Sequence, residues 1–477
     1  MSEPREIETA IPARMDRLPF SRFHLLVIAA LGITWILDGL EVTIVGSVGP
    51  VLQDKRTLAL SPEAIGTVAS CYVVGAVAGA LFFGWLTDRY GRRVIFNVTL
   101  GLYLAGVLLT ALSWNGLSFG AFRILTGIGI GGEYASVNSA IDELIPARLR
   151  GRIDMAVNGS FWFGAAAGAA GSLLLLNGSL VGLDLGWRIG FGIGAVLGIG
   201  VIVLRRYVPE SPRWLVTHAR ERDAETAIRE IEQRVEQDAG QKLPPPEPGK
   251  TLRIRPKPRV GLTPIFKAML GKFRARSALA LTLMVAQAFL FNAVFFTYGL
   301  VLARFYHVPE TRVGLYVLPL AAGNFFGPIV LGSLFDTIGR RRMITATYGL
   351  AGVLLAAVAV LFGMGVFTAW TQTYAWMAIF FVASAAASSA YMTASEIFPL
   401  EARSLAIAVF YAIGTGLGGI AAPLLFGWLI GTGKPWVVAG GYGAAAALML
   451  VAAGTEAKLG VDAEGQSLEN VAEPLSS

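Results

Sequence analysis

Trp35-Ile36-Leu37-Asp38-Gly39-Leu40-Glu41-Val42-Thr43 places two carboxylates in the middle of an apolar run that extends from about Leu25 to Leu52. A helix needs about 20 mostly apolar residues to cross a bilayer, and this run is long enough. A carboxylate near the centre of such a helix costs roughly 2.5–3.5 kcal/mol on insertion scales, so it faces a cavity or a partner rather than lipid. Asp38 and Glu41 are three residues apart and share one side of the helix. Either they pair with neighbouring helices to hold the fold together, or they form a protonatable site on a transport pathway.

The composition agrees with a membrane setting. The chain has 477 residues, 55% hydrophobic and 15% charged, whereas a soluble domain carries about 25% charged residues. An integral membrane protein with the lipid bilayer as its surroundings is the reading that fits. The single cysteine, Cys71, lies in an apolar segment, which excludes a disulfide within the chain and argues against a metal or redox role. Met1 to Arg22 is polar and has no signal-peptide core, so the first apolar segment is expected to be retained as a helix. The net charge of +7 does not indicate nucleic acid. Residues Arg205 to Arg276 carry 17 Lys and Arg against 9 Asp and Glu, a surplus larger than that of the whole protein. Basic charge gathered between spans is what the positive-inside rule predicts for a cytoplasmic loop.

Punctuation by Gly, Pro and charge divides the chain into twelve apolar segments, an all-α membrane fold. The first six cover about 25–52, 62–84, 94–113, 117–141, 155–177 and 187–206. The last six cover about 277–302, 311–335, 343–365, 374–398, 404–430 and 435–454. Arg14, Arg17 and Arg22 precede the first span, and further arginines follow spans 2, 4 and 8. Both termini are therefore expected in the cytoplasm, with Lys55, Arg56, Arg304 and Arg312 as exceptions on the opposite side.

The segments repeat. Gly75, Gly79, Gly84, Asp88, Gly91, Arg92 and Arg93 recur as Gly323, Gly327, Gly332, Asp336, Gly339, Arg340 and Arg341, each 248 residues on. Glu143, Pro146 and Arg150 recur as Glu396, Pro399 and Arg403, 253 residues on. Two homologous six-helix halves in parallel orientation mark an alternating-access transporter with its site between them. The expected organisation is a first half over 1–206, a cytoplasmic linker over 207–276, a second half over 277–456 and a tail over 457–477. Within the linker, Ala224, Ile228, Ile231 and Val235 form the apolar stripe of one soluble helix. Glu225 with Arg229 and Glu230 with Arg234 sit at i,i+4. That helix packs on the cytoplasmic face, either as a latch or as a plain linker.

These residues resemble the major facilitator superfamily over nearly the whole chain. Gly84-Trp85-Leu86-Thr87-Asp88-Arg89-Tyr90-Gly91-Arg92-Arg93 is similar to its hallmark loop between helices 2 and 3. Pro209-Glu210-Ser211-Pro212-Arg213-Trp214, Ser395-Glu396-Ile397-Phe398-Pro399 with Arg403, and Gln287 with Asn292 before Phe295-Phe296 resemble the sugar-porter branch. Asp38-Gly39-Leu40-Glu41 is closer to the aromatic-acid/proton symporters, and Gly131-Gly132-Glu133-Tyr134 to phosphate and organic-ion relatives. Leu290 stands where sugar porters have Gly, and Tyr391 where many have Trp.

The resemblance implies gating by Gly84, Asp88, Arg89, Gly91, Arg92, Arg93, Glu143, Arg150, Glu210 and Arg213. The matching second set is Asp336, Gly339, Arg340, Arg341, Glu396 and Arg403. Taken as charges alone, exposed pairs of this kind are worth roughly 0–1 kcal/mol and anchor topology equally well. Sugar porters pair an acid at the position of Glu41 with an arginine at the position of Arg123. The helix rise sets these two depths only about 8–10 Å apart, within side-chain reach. Glu41 is the favoured proton carrier, with Asp38 second. Glu133, deeper in span 4, binds a proton or a cationic group, or pairs with a neighbouring helix.

The second half offers neutral groups for solute contact: Gln287, Asn292, Phe296, Tyr298, Asn324 and Tyr391. Asn158 is carried over from a sugar-porter substrate glutamine. Any of these polar groups alone is equally able to bond another helix. Gly127, Gly129, Gly131 and Gly132 imitate a dinucleotide loop but lie within an apolar helix, where small residues let helices approach. Gly431-Thr432-Gly433-Lys434 lacks the Ser or Thr of a phosphate loop, which argues against an ATP site.

The sequence thus predicts a secondary transporter of the cytoplasmic membrane and not an enzyme. It is monomeric, with a proton as coupling ion and no cofactor. Its solute is small and polar, either sugar- or polyol-like or an organic, aromatic or nicotinate-like acid. A transporter-fold receptor is the alternative from another class.

Overall fold

Long apolar runs closed by good caps make long helices, and the computed structural model is built almost entirely from them. It describes residues 7–176, 181–205, 208–217, 220–245, 252–254, 267, 269–398 and 409–461. Some side chains within these ranges are outside the description, among them those of Asp88, Arg89, Arg92, Arg150, Asn158, Asp336 and Glu396; so is the whole of Arg403. A strand β1 (Ile7–Thr9) and a short helix α1 (Ile11–Asp16) precede α2 (Arg22–Leu52), α3 (Pro62–Tyr90) and α4 (Arg92–Ala111). Next come α5 (Gly116–Leu144), α6 (Ala147–Leu175) and α7 (Leu183–Arg205). The linker carries α8 (Pro212–Thr217), α9 (Glu221–Ala239) and β2 (Leu252–Ile254). Beyond it lie α10 (Arg274–Tyr306), α11 (Val313–Thr337), α12 (Arg340–Gly363) and α13 (Ala369–Glu396). The last are α14 (Val409–Gly431) and α15 (Pro435–Leu459). Among the described residues, ten helices are long and apolar enough to cross a membrane.

Local chemistry explains where the helices start. Ser61 Oγ accepts the Ala64 N–H at 3.2 Å, Asn115 Oδ1 accepts that of Ser118 at 2.8 Å, and Thr368 Oγ1 that of Thr371 at 3.2 Å. Each is an N-cap that satisfies one of the orphan donors of the first turn. Between α3 and α4 the chain turns at Gly91 with φ +95°, and between α11 and α12 at Gly339 with φ +106°. Left-handed backbone of this kind favours glycine, and the two turns stand 248 residues apart, as the repeat requires.

The repeat also governs packing. A Cβ on Gly75 or Gly79 would collide with the carbonyls of Ile124 and Ile128 on α5. Their counterparts Gly323 and Gly327 press in the same way on Met377 and Phe381 of α13. From the other side, Gly127 and Gly131 meet the backbone of Tyr72 and Ala76. The glycine run of α5 therefore serves close helix approach, the small-residue packing that lipid-embedded helices depend on.

Helices before the linker meet those after it chiefly where 62–90 packs on 420–431, 147–175 on 313–337 and 22–52 on 274–306, a seam between the two sets. Its closest backbone approaches are Gly46 to Phe295, Gly299 to Gly46, Gly66 to Pro423, and Gly314 to Ala169. All lie toward one end of the bundle, on the side of the 53–61 and 307–312 connections. In the first of these connections the exposed Arg56 is paired with Asp54 at 2.6 Å, so this exception to the charge rule is locally neutralised.

In the linker, Ala224, Ile228, Ile231 and Val235 of α9 are all buried, and they pack with Ile11, Met15, Leu18 and Phe23. The Glu225–Arg229 pair forms at 2.7 Å. Strands β1 and β2 pair antiparallel with Ile7 opposite Ile254, a small ribbon that the all-helical expectation does not contain.

Candidate functional site

Three helices bring their polar residues together around Asp38, which is buried in α2. The Tyr72 hydroxyl, from α3, donates to Asp38 Oδ1 at 2.6 Å, and the Tyr134 hydroxyl, from α5, donates to Oδ2. No cation lies within ion-pair distance of Asp38 among the described residues. One turn further along α2, Glu41 is ion-paired with Arg123 of α5, and both are buried. The Arg123 guanidinium lies 4.2 Å from the Tyr72 ring centroid, a cation–π contact that also fixes the ring carrying one of Asp38's donors. The depth estimate that placed Glu41 and Arg123 within reach is therefore met by a direct pair.

Rings enclose this carboxylate. Trp35 and Tyr134 have centroids 4.5 Å apart, Tyr134 and Tyr411 6.1 Å, and Tyr411 and Tyr391 6.2 Å. Tyr72 faces Phe296 at 6.1 Å. The row Trp35–Tyr134–Tyr411–Tyr391 runs from α2 and α5 to α14 and α13, so it crosses from the helices before the linker to those after it. Sequence reasoning singled out Tyr391 and Phe296 but not Tyr72, Tyr134, Trp35 or Tyr411. A signal was present for Tyr134 alone, in its motif with Glu133. The others are ordinary aromatics in apolar runs until the helices are assembled.

Glu133 is paired with Arg205 of α7 at 3.0 Å. Arg205 also donates to Thr34 Oγ1 at 3.2 Å and to the Phe96 carbonyl, and stacks on the Phe96 ring. Of the roles left open for Glu133, pairing with a neighbouring helix is the one the geometry displays. Its partner was unrecognised because Arg205 closes an apolar segment and reads as the first residue of a basic loop.

The neutral groups after the linker divide in two. Gln287 is buried on α10 and faces the hydroxyl of Tyr391, which is 39% exposed. Asn292 donates to the Ala288 carbonyl at 2.8 Å and sits against Gly419. Of these two, Gln287 adjoins the aromatic row through Tyr391. Tyr298 bonds Thr373 at 2.7 Å, and Asn324 donates to the Leu320 carbonyl at 2.9 Å. Both are buried; Tyr298 bonds a neighbouring helix, the bland alternative, whereas Asn324 bonds its own helix and its Oδ1 has no partner among the described residues. Asn158 falls outside the described side chains.

The motif residues at the helix ends interlock where they are described. Glu210 Oε2 accepts the Arg93 N–H at 3.2 Å and lies against Gly91, where a Cβ would strike it. Arg213 reaches Asp16 at 2.8 Å, and Arg341 donates to the Ala457 carbonyl. Glu143 and Arg340 are half-buried, and Gly84 and Gly339 occupy the ends of α3 and the turn before α12. Asp88, Arg89, Arg92, Arg150, Asp336, Glu396 and Arg403 lie outside the described side chains.

Residues 27–473 match the family model described as "Sugar (and other) transporter". The chain belongs to that family. It is a secondary transporter of the major facilitator superfamily, an integral multi-pass membrane protein and not an enzyme. It is 27% identical over 414 residues to the niacin transporter NiaP of Acinetobacter baylyi, covering 87% of this chain and 89% of the relative. It is 28% identical over 451 residues to the putative metabolite transport protein YyaJ of Bacillus subtilis, covering 92% and 94%. The fold is similar to the inward-open xylose transporter XylE of E. coli, with a TM-score of 0.70 at 20% identity over 94% of this chain and 98% of that one.

Proposed function

We propose that the protein is a proton-coupled symporter of a small, flat aromatic or heteroaromatic carboxylate, for which nicotinate is the test solute. It works by alternating access between halves spanning 1–206 and 277–456, joined by the linker. In this reading α5 and α6 cross the membrane with the ten other spans, twelve in all. Both termini are cytoplasmic, and the transporter is a monomer in the cytoplasmic membrane with no cofactor beyond the coupling proton.

The observation that carries this reading is a carboxylate with no cation in ion-pair distance among the described residues, held by two tyrosine hydroxyls inside a row of rings. The pair Glu41–Arg123 is neutral as a unit, which leaves the group with one net negative charge on Asp38. A solute carboxylate about 5 Å from it is repelled by about 3 kcal/mol at an effective dielectric of 20. Protonating Asp38 removes that repulsion, so solute and proton enter together. This ordering reverses the one favoured from sequence: Asp38 carries the proton, and Glu41 serves as the counter-ion of Arg123. The ring faces suit a flat solute, and a niacin transporter among the relatives supports the choice. The family description supports a sugar or polyol instead, with Gln287 and Asn292 as its amides.

Uptake of nicotinate into proteoliposomes, with the interior made alkaline, tests the proposal. Accumulation above the external concentration is expected, abolished by a protonophore. Asp38→Asn is expected to retain exchange and lose accumulation. Xylose or inositol accumulating while nicotinate does not would replace the solute; accumulation intact in Asp38→Asn would remove the carrier.

A further inference from the structure

The two tyrosines on Asp38 are not equivalent. Tyr72 is buried, lies under the Arg123 guanidinium and packs on Phe296. Tyr134 is only half-buried, and its ring stands between Trp35 and Tyr411, on the row that crosses to the later helices. Arg123, on the Tyr72 side, favours negative charge at Oδ1 and leaves Oδ2 as the oxygen that takes a proton.

We infer that Tyr134 couples proton to solute by reversing its hydrogen bond with Asp38. With Asp38 ionised, the acid is acceptor-only, and both tyrosine hydrogens are committed to it. The site then offers the solute lone pairs and a negative charge. A hydronium ion from the aqueous side then gives up a proton: one of its O–H bonds breaks, the Oδ2–H bond forms, and water leaves. The new O–H group donates to the Tyr134 oxygen, which becomes the acceptor. Tyr134 keeps its own hydrogen, which now turns outward and donates to the carboxylate of the solute. Tyr72 continues to donate to Oδ1, the carbonyl oxygen of the neutral acid. The proton therefore does two things: it removes a repulsion and creates a donor.

The surroundings allow this reversal. The other titratable and charged groups near Asp38 are Glu41 on its own helix, Arg123 and Glu133 on α5, Tyr103 on α4 and Tyr411 on α14. Glu41 and Glu133 are each committed to an arginine, and the Tyr103 hydroxyl is taken up by Glu41 and by the Leu37 carbonyl at 3.5 Å. Tyr134 is the hydroxyl bonded to Asp38 that also adjoins the cross-helix row.

The inference rests on Asp38 as proton carrier and on a carboxylate solute, and binding separates its failure from theirs. Nicotinate affinity is measured in detergent or nanodiscs at about pH 5 and about pH 8. For Tyr134→Phe, the loss relative to the parent is expected to be about tenfold or more at the lower pH, the weight of a charge-assisted hydrogen bond. It is expected to be close to nil at the higher pH. Tyr72→Phe, which removes a donor that Asp38 keeps in both protonation states and that does not turn to the solute, is expected to show no loss confined to the lower pH. Asp38→Asn, whose amide donates as the protonated acid does, is expected to bind independently of pH, and adding Tyr134→Phe to it costs the same factor throughout. An equal loss for Tyr134→Phe at both pH values, with Asp38→Asn insensitive to pH, overturns the reversal and leaves Asp38 as carrier. An Asp38→Asn protein that keeps the parental pH dependence overturns the carrier and the inference together. No nicotinate binding at either pH removes the carboxylate solute and this role with it.

Discussion

Arg205 shows how much can hang on one residue that motif reading passes over. Its guanidinium is buried, bonds Glu133 Oε1, Thr34 and the Phe96 carbonyl, and stacks on an aromatic ring. Removing one member of a buried pair leaves the other charge unpaired in a low-dielectric interior, at a cost of about 3–5 kcal/mol. Arg205→Leu is thus expected to lower stability by about that amount in chemical denaturation of the detergent-solubilised protein. Glu133→Leu combined with Arg205→Leu should recover most of the loss, because apolar replacement of a whole buried pair is often nearly neutral. Additive losses in the double variant would mean that the two residues serve separate ends. Both acids of α2 and the Glu41–Arg123 pair were legible in the sequence because an ionisable group in an apolar run has few innocent explanations. Tyr72 and Tyr411 were not. An aromatic ring is common in a lipid-spanning helix, and its role depends on what stands opposite, which no spacing within one helix records.

At the scale of elements, the amphipathic period of α9 predicted its buried stripe correctly, while its partner could not be read. That partner is α1, pinned by Arg14 to Glu225 and Glu232 and by Arg17 to Glu232, with Phe23 N–H donating to Asp238 at 3.0 Å. Polar chain ends give little sign of docking, so nothing in residues 11–18 marked them as the cover for this stripe. Burial works against the charge of Glu232, yet the hydrogen bonds from Arg14 and Arg17 outweigh it and hold the carboxyl below the usual glutamate range. Glu225 shows the same balance, with Arg14 and Arg229 as donors. A carboxyl depressed in the folded state contributes stability that is present above its unfolded value, about 4.3. That contribution is lost as pH falls through the lower folded value. Docking of α1 should therefore be constant from neutral pH to about 4.5 and weaken in more acid solution. Amide hydrogen exchange of residues 11–18 reads it, and Arg14→Ala with Arg17→Ala should give fast exchange already at neutral pH. Protection that persists in that variant would assign the docking to Ile11, Met15 and Leu18 alone. The two-stranded ribbon of β1 and β2 was illegible for a related reason: three residues on each side, separated by more than 240 positions, carry no periodicity to detect.

Across the whole molecule the decisive feature is where the two sets of helices touch. Gly46, Gly66, Gly299 and Gly314 let backbone meet backbone at one end of the bundle, the end that the proposed orientation makes extracellular. The chain contains 57 glycines, so these four could not be told from the rest, whereas Gly75 and Gly79 were marked by their recurrence 248 residues on. If closure of that end depends on contact without side chains, a side chain inserted there is a wedge. Overpacking a well-filled contact costs about 1–3 kcal/mol. Here the strain is relieved by parting the helices, so the energy appears as a shift between states: each 1.4 kcal/mol moves the balance about tenfold. Gly314→Leu, whose side chain would meet the Ala169 carbonyl and the Ser172 hydroxyl, is expected to favour the state open at that end. Ser47 is a suitable reporter, since its side chain is fully buried on α2 beside the same seam and its hydroxyl has no hydrogen-bond partner among the described residues. In a Cys71→Ser background, Ser47→Cys should react slowly with a membrane-impermeant maleimide added outside. Gly314→Leu should raise that rate at least about tenfold, and Gly66→Leu, on the other flank of the seam, should do the same through Pro423. Solute exchange, which needs both states, should slow in each. If labelling stays at the parental rate in both variants while the proteins remain folded, the seam is not the gate, and closure at that end must be held by the side-chain contacts around it.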